Sequence, residues 1–261
     1  MFDVIIQARM NSNRLPAKVL LPVNGVPILG HMLNRVKLCK SVNRIIVATT
    51  NNTIDEEIFN YAQSQHVLVY RGSEIDVLDR YYNAAVKFDS RNIIRLTSDC
   101  PLVDHRIIDE MSELFKNKDY DYLANTCPPP GCFPNGMDVE IFTIQALKRA
   151  FLEAKLPSER EHVTFYFWKS GKFHCHRFEK DFNYSRYRVT LDYFEDYELI
   201  RSVIQYFNSN DFDFSLSQLV KYLEDNPDLT KYQLFIDRES GWYDSLSKDK
   251  ELLPEHWNYN K

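Results

Sequence analysis

Val4-Ile5-Ile6-Gln7-Ala8-Arg9-Met10-Asn11-Ser12-Asn13-Arg14-Leu15-Pro16-Ala17-Lys18-Val19-Leu20 decides how this chain is read. Val4, Ile5 and Ile6 make a short apolar run, the pattern of a strand buried on both faces. The run stops at Gln7, and the positions after it are polar and cationic: Arg9, Ser12, Asn13, Arg14 and Lys18. A loop with these positive charges, leaving the carboxyl end of a buried strand, lies where open α/β sheets bind ligands. Guanidinium forks and an ammonium neutralise phosphate oxygens, so an anionic ligand, most simply a nucleoside triphosphate, suits them. A solvated loop with ordinary surface charges is the plainer alternative. Charge clustering alone favours it; the position straight after the strand favours the ligand site.

Beyond that stretch, helix and strand patterns alternate. Pro27 opens a helix in which Ile28, Met32, Leu33 and Val36 recur at helical spacing. Residues 44–50 predict a second buried strand, 54–64 a helix and 67–70 a third strand. Val77, Leu78, Tyr81 and Ala85 mark the next helix, and 92–96 a fourth strand ending in Thr97-Ser98-Asp99-Cys100-Pro101. An amphipathic helix through Ile107, Ile108, Met111, Leu114 and Phe115 follows, with Asp104 as its N-cap. The alternation predicts an α/β fold: three αβα layers around a mainly parallel sheet with right-handed crossovers.

Near Tyr120 the rhythm changes. Strands are expected at about 120–125 and 138–142, helices at 143–153 and about 158–169, strands at 173–178 and 187–191, and a helix over 194–207. Residues 1–207 thus form one domain with a small mixed insertion at about 120–191. The extension 208–261 reads as helical and then irregular. Its aromatics, Phe212, Phe214, Tyr232, Phe235, Trp242, Tyr243, Trp257 and Tyr259, are expected to pack on the core or on a partner subunit.

Hydrophobic residues at 44% and charged residues at 26% suit a soluble globular protein. The formal net charge of -5 argues against a nucleic-acid polymer as partner, so any phosphate site is a local positive pocket. No apolar run approaches a bilayer span and no signal peptide precedes Val4, so no membrane partner is expected. The 5 scattered cysteines fit reduced thiols in a cytoplasm. Cys127 and Cys132 flank Pro128-Pro129-Pro130-Gly131, a proline-stiffened loop without the second ligand pair of a metal site. His174 and His176 share one face of a strand, and polar positions on a solvated face explain them.

Asp99 ends a buried strand, where an unpaired carboxylate is costly. A hard cation with oxygen ligands resolves that cost, and Mg²⁺ travels with nucleotide phosphates. Helix capping is the alternative, and Asp104 already meets that need.

Ile6-Gln-Ala-Arg-Met-x-Ser-x-Arg-Leu-Pro-x-Lys-Val-Leu20 resembles the opening motif of the cytidylyltransferases that activate acidic sugars. The match falls in the branch containing the SpsF and 3-deoxy-manno-octulosonate (KDO) enzymes; acylneuraminate enzymes carry Gly-Ser-Lys where this chain has Ser-x-Arg-Leu-Pro. The resemblance runs over about residues 3–205 and implies a Rossmann-like nucleotidyltransferase sheet, often dimeric, so a homodimer is expected. Arg95-Leu-Thr-Ser-Asp-Cys-Pro-Leu-Val-Asp104 is similar to the family segment whose Asp, here Asp99, is a magnesium ligand. Leu191-Asp-Tyr-Phe-Glu-Asp-Tyr-Glu198 resembles the segment holding the other, here Asp192; Tyr193 and Phe194 replace the family's small residue and proline. Glu195 and Asp196 behind it suit the first turn of a helix.

The implied reaction is attack of an acceptor oxygen on the α-phosphorus of CTP, with Mg²⁺ on Asp99 and Asp192 and charge stabilisation by Arg9, Arg14 and Lys18. Gln7, Ala8, Ser12, Ala48, Thr49 and Thr97 are expected around the nucleotide, and the SpsF-like run Arg71-Gly-Ser-Glu-Ile-Asp76 adds Arg71 and Asp76. Asp79 and Arg80, further along the same run, read equally well as nucleotide contacts or as a helix ion pair of little energetic weight. Glu140, Arg160 and His162, in two further SpsF-like runs, are the acceptor candidates; Ser158 with Glu161 would also serve as a cap. The expected acceptor is a small acidic sugar. A phosphorylated or phosphonate acceptor, another triphosphate, and a non-catalytic nucleotide-binding protein remain alternatives. Asp119-Tyr120-Asp121 matches the metal motif of a glycosyltransferase and reads instead as a solvated turn.

Overall fold

In β1 (Phe2–Gln7) successive side chains point to opposite faces: Phe2, Val4 and Ile6 enter one core and Ile5 the other. The computed structural model describes residues 1–129, 131–207, 213–236 and 240–252; Pro130, Phe212, Trp257 and Tyr259 lie outside the described residues. A small hairpin, β2 (Pro22–Val23) and β3 (Val26–Pro27), turns at Asn24 and Gly25, both at positive φ, as a two-residue hairpin loop requires. It leads into α1 (Ile28–Val36), which starts directly after Pro27 as expected.

β4 (Val42–Thr50) and β6 (Asn92–Thr97) pair in parallel with the two sides of β1, and β5 (Leu68–Gly72) pairs in parallel with β4. The chain runs outward through β4 and β5, then returns to the other edge of β1 as β6. That reversal puts a crevice outside the carboxyl ends of β1 and β6, the usual ligand position in such sheets. α2 (Glu56–Ser64), α3 (Val77–Lys87) and α4 (His105–Lys116) complete the βαβ units, and Asp104 caps α4 by accepting the Arg106 N–H at 3.0 Å.

The mixed stretch continues the same sheet. β7 (Tyr122–Ala124) and β8 (Glu140–Thr143) add antiparallel pairings, β8 on β6 and β7 on β8, and β9 (Cys175–Arg177) pairs in parallel with β7. The seven strands run β5-β4-β1-β6-β8-β7-β9, with β8 alone reversed. One core lies against α1, α2, α4 and the later helices α8 (Phe194–Phe207) and α9 (Leu216–Asp225). The other lies against α3, α5 (Ile144–Glu153) and α7 (Phe165–Lys169). This is the three-layer αβα fold that the sequence predicts.

Three expectations need correction. Residues 187–191 are extended but form no ladder: Arg188 makes an isolated bridge with Asn135, and the Leu191 N–H goes to the Asp99 carbonyl. The helix expected over 158–169 is two, α6 (Pro157–Glu161) and α7, because Val163 sits at φ 61°, a left-handed geometry that ends a helix. The tail is not irregular after α9: a 3-10 segment, Pro227–Phe235, leads to α10 (Ser240–Leu252). Phe214 stacks on Phe207 and Trp242 packs edge-on against Phe165, so these tail aromatics cover the core, whereas Phe235 is exposed.

Candidate active site

Lys18 is aimed by the shape of its loop. The Met10 carbonyl accepts the Ala17 N–H at 2.9 Å, and Ala17, at φ 56°, leads into a short 3-10 turn, Lys18–Leu20. The buried ammonium donates to the Leu191 carbonyl at 2.6 Å, Asp192 Oδ1 at 3.0 Å and Asp99 Oδ2 at 3.2 Å. Asp99 comes from the turn after β6 and Asp192 from the turn before α8. Their segments are joined by the Leu191 N–H on the Asp99 carbonyl at 2.7 Å. Gly136 (φ 101°) makes room for this: a Cβ there would lie 2.5 Å from Thr190 N.

Asp192 also accepts Arg14 Nη2 at 2.6 Å and Arg188 Nη2 at 2.7 Å. Burial works to raise its pKa, but Lys18, Arg188 and Arg14 hold its carboxyl well below the usual carboxylate range. Burial likewise opposes the charge on Lys18, and Asp99 and Asp192 outweigh it, raising the ammonium pKa. Asp196 Oδ2 accepts the N–H groups of Asp192 at 2.8 Å and Tyr193 at 2.9 Å, so Asp196 caps α8 and leaves Asp192 to face the loop. The Arg14 guanidinium lies 5.2 Å from the Tyr193 ring centroid, so Tyr193 helps to hold this cation in place.

These groups form one pole of a cleft of about 680 Å³ at the carboxyl ends of β1 and β6. Of the residues picked from sequence, Gln7, Ala8, Arg9, Ser12, Thr97 and His162 line it together with Arg14, Lys18, Asp99 and Asp192. The others do not line it. Ala48 and Thr49 are buried in β4, and the Ala48 carbonyl accepts the Ala8 N–H. Arg71 fastens the turn after β4 through the carbonyls of Thr50 and Asn52 and through Glu56. Asp76 caps α3 at the Asp79 N–H and pairs with Arg160. Glu140 is buried, accepting from Arg95, Tyr122 Oη at 2.5 Å and Thr164 Oγ1 at 2.6 Å. Ser158 does not cap: its N–H and hydroxyl bind Asp249 of α10, and Glu159 takes the N–H groups of Lys155 and Leu156.

Several cleft residues escaped the sequence reading or are ambiguous in it. Arg95 and Arg80 both line the cleft. Each left a signal: Arg95 interrupts an apolar strand, and Arg80 falls on the Val77–Tyr81–Ala84 stripe of α3. Gly241, Asp244 and Lys248 bring α10 into the wall. No local pattern announces them, because α10 is placed by distant partners: His162 Nε2 and Ser245 Oγ lie 2.8 Å apart, and Asp249 holds Ser158. Burial, then Arg95 and Lys169, push the His162 pKa down to about 4, so its ring is neutral at pH 7. Away from the cleft, His174 and His176 are exposed beside the Tyr120 ring and Asp121 supports the His174 N–H, so neither the histidine pair nor the Asp-Tyr-Asp run gathers a metal site.

Asp99 and Asp192 aim hard oxygen donors at one cation, the Lys18 ammonium. Among the described residues no group of three or more His, Cys, Asp and Glu side chains converges on a metal position. A divalent ion here would therefore draw further oxygens from ligand and water, the habit of Mg²⁺. Carboxylates, fixed cations and a cleft at the strand ends can bind a polyphosphate and stabilise charge as it moves between oxygens.

The cytidylyltransferase family model matches residues 4–229. The spore coat polysaccharide biosynthesis protein SpsF of Bacillus subtilis (strain 168) is 33% identical over 237 residues, covering 86% of this chain and 94% of SpsF. An 8-amino-3,8-dideoxy-manno-octulosonate cytidylyltransferase of Shewanella amazonensis is 32% identical over 116 residues, 43% of this chain and 46% of that enzyme. The solved structure of a cytidylyltransferase from Leptospira borgpetersenii serovar Hardjo-bovis superposes with a TM-score of 0.82 at 38% identity, covering 87% of this chain and 95% of that one. With matches of this extent, the chain belongs to the SpsF-like cytidylyltransferases, CTP-dependent nucleotidyltransferases.

Proposed function

We propose that the enzyme transfers CMP from CTP to an acidic sugar of the 3-deoxy-ulosonic or nonulosonic type, releasing pyrophosphate, to supply an activated precursor for a surface polysaccharide. The observation that carries this reading is the meeting of Lys18, Asp99 and Asp192 beside Arg14 at the mouth of β1 and β6. Arg9, Arg14 and Lys18 bind the triphosphate and fix the α-phosphorus for in-line attack. Asp99 and Asp192 are the residues that would hold Mg²⁺. When bound, the ion supplies Lewis-acid polarisation of the phosphoryl group and neutralises the leaving pyrophosphate. An acceptor hydroxyl oxygen forms the new bond to the α-phosphorus, the bond to the bridging oxygen of pyrophosphate breaks, and the hydroxyl proton passes to solvent. Neutral His162 offers a hydrogen bond to the acceptor rather than a charge.

Two features support an acidic acceptor: the relative of that specificity in Shewanella, and Lys248 on the α10 wall, a cation with no ion pair among the described residues. The test incubates the protein with Mg²⁺, each of the four triphosphates, and separate pools of sugar acids, sugar phosphates and phosphonates, and measures pyrophosphate release. Release with CTP and a sugar acid is expected. Release only with a phosphate or phosphonate pool moves the acceptor class, and release with another triphosphate overturns the base assignment.

A further inference from the structure

Arg80 is the one strongly buried arginine, among the described residues, that the protein leaves without a matching acceptor set. Arg35 donates to the carbonyls of Val103 and Phe214, both at 2.8 Å. Arg188 is clamped by Asp192 and Asp196. Arg80 is 1% exposed, yet among the described residues the only acceptor its guanidinium meets is the Ser73 carbonyl, it forms no ion pair, and its Nε has no partner. Removing a guanidinium from water without an anion is unfavourable, and this one has lost part of its basicity to burial. The positive charge of Arg9 makes the position worse, and Tyr81, Asp55 and Glu74 oppose it through space without touching the guanidinium.

The chain nevertheless builds the place for Arg80. Its aliphatic stem lies over Gly72, the last residue of β5, where a Cβ would sit 3.2 Å from Arg80 Cγ. Arg80 lines the same cleft as Arg9, Lys18 and Asp99. Two cations that repel each other across a cleft wall, one of them buried and unmatched, make a binding position for an anion that arrives from outside.

We propose that Arg80 is a phosphate-binding residue of the nucleotide site, meeting the triphosphate of CTP together with Arg9. The inference rests on the reading of this cleft as the nucleotide site, not on the acceptor. In the free enzyme the buried charge is a local cost to stability that bound phosphate relieves, so affinity and ligand-free stability respond to Arg80 in opposite senses.

The experiment uses the full chain with Arg80→Met, which keeps the length of the stem, and Arg80→Lys, which keeps the charge. Binding of CTP, of pyrophosphate and of cytidine is measured by titration calorimetry, and Tm is measured without ligand. Arg80→Met is expected to weaken CTP and pyrophosphate at least tenfold, to leave cytidine within twofold, and to keep or raise the ligand-free Tm; Arg80→Lys falls between. CTP and pyrophosphate affinities within twofold of the wild type overturn the proposal. So does loss of cytidine binding with pyrophosphate retained, which moves Arg80 to the base. A ligand-free Tm that falls in both variants makes Arg80 structural and also overturns it. The pyrophosphate arm reads Arg80 whatever acceptor the enzyme takes, so failure of the acidic-sugar assignment leaves this test intact.

Discussion

The two ends of the cleft are built differently. At one end, Asp99 and Asp192 follow β6 and an extended segment, Lys18 reaches them from the end of the loop after β1, and their charges neutralise one another in the free enzyme. At the other, α6 and α10 meet through a neutral histidine, a serine and a buried aspartate, and Lys248 has no ion pair among the described residues. Around Lys18 the first end is close to electrostatically complete before ligand arrives, with Arg80 as its unmatched charge, so ligand there would exchange one set of ion pairs for another. The second end waits for its partner. A phosphate end fixed by the sheet and a wall carried on an appended helix would let one nucleotide reaction serve different acceptors. The family match stops at residue 229, before α10 begins.

That contrast breaks first at Lys18. Lys18→Met removes the cation shared by both carboxylates, and turnover of CTP is expected to fall by about 10²–10³, the usual loss for one preorganised charge at a transition state. Steady-state pyrophosphate release checks it; a loss under tenfold would make the phosphate end ordinary.

His162 sharpens the other side. Its folded pKa of about 4 lies below the unfolded histidine value of about 6.5, so the unfolded state takes up the proton first. Its contribution is full above about pH 6.5 and falls away as pH drops toward 4, by about 3 kcal/mol over that window. Denaturant titrations at several pH values are expected to show a flatter profile for His162→Gln in that range. The depressed pKa of Asp192 acts at more acid pH: its stabilisation is present above the unfolded aspartate pKa and is lost as pH falls below it.

A smaller effect belongs to Asp249, which receives the Ser158 N–H at 2.8 Å from inside α10. Asp249→Ala leaves that donor unsatisfied, at a cost of about 1–3 kcal/mol to helix docking. The acceptor KM is expected to rise several-fold while the CTP dissociation constant stays within twofold. Equal effects on both substrates would erase the distinction between the two ends.

The meeting of Lys18, Asp99 and Asp192 is legible in the sequence because its signals are local. An apolar run ending in a cationic loop, and carboxylates where strand patterns stop, mark the ends of sheet strands without knowledge of distant contacts. The α6–α10 side was not legible in that way. Val163 leaves the helical region inside a run that reads as continuous helix, while the next residue turns its hydroxyl to Glu140. Residues 187–191 have strand-like composition, but their donors go to Asn135, Asp99 and Gln233 rather than to a neighbouring strand. Arg160 and Asp76 read from sequence as ligand contacts, whereas in the structure they hold each other. Arg80 is ambiguous for the opposite reason: an arginine in a helix also suggests a surface ion pair, and only the structure shows it buried with no such pair among the described residues.

The most direct test of the account is a Mg²⁺ titration of pyrophosphate release from CTP, with a sugar-acid pool, in the wild type and in Asp99→Asn. The account predicts that the wild type is silent in chelator and saturates with Mg²⁺, and that the variant loses about 10²-fold in rate and needs more of the ion. Release that persists in chelator, or an Asp99→Asn rate equal to that of the wild type, would contradict it.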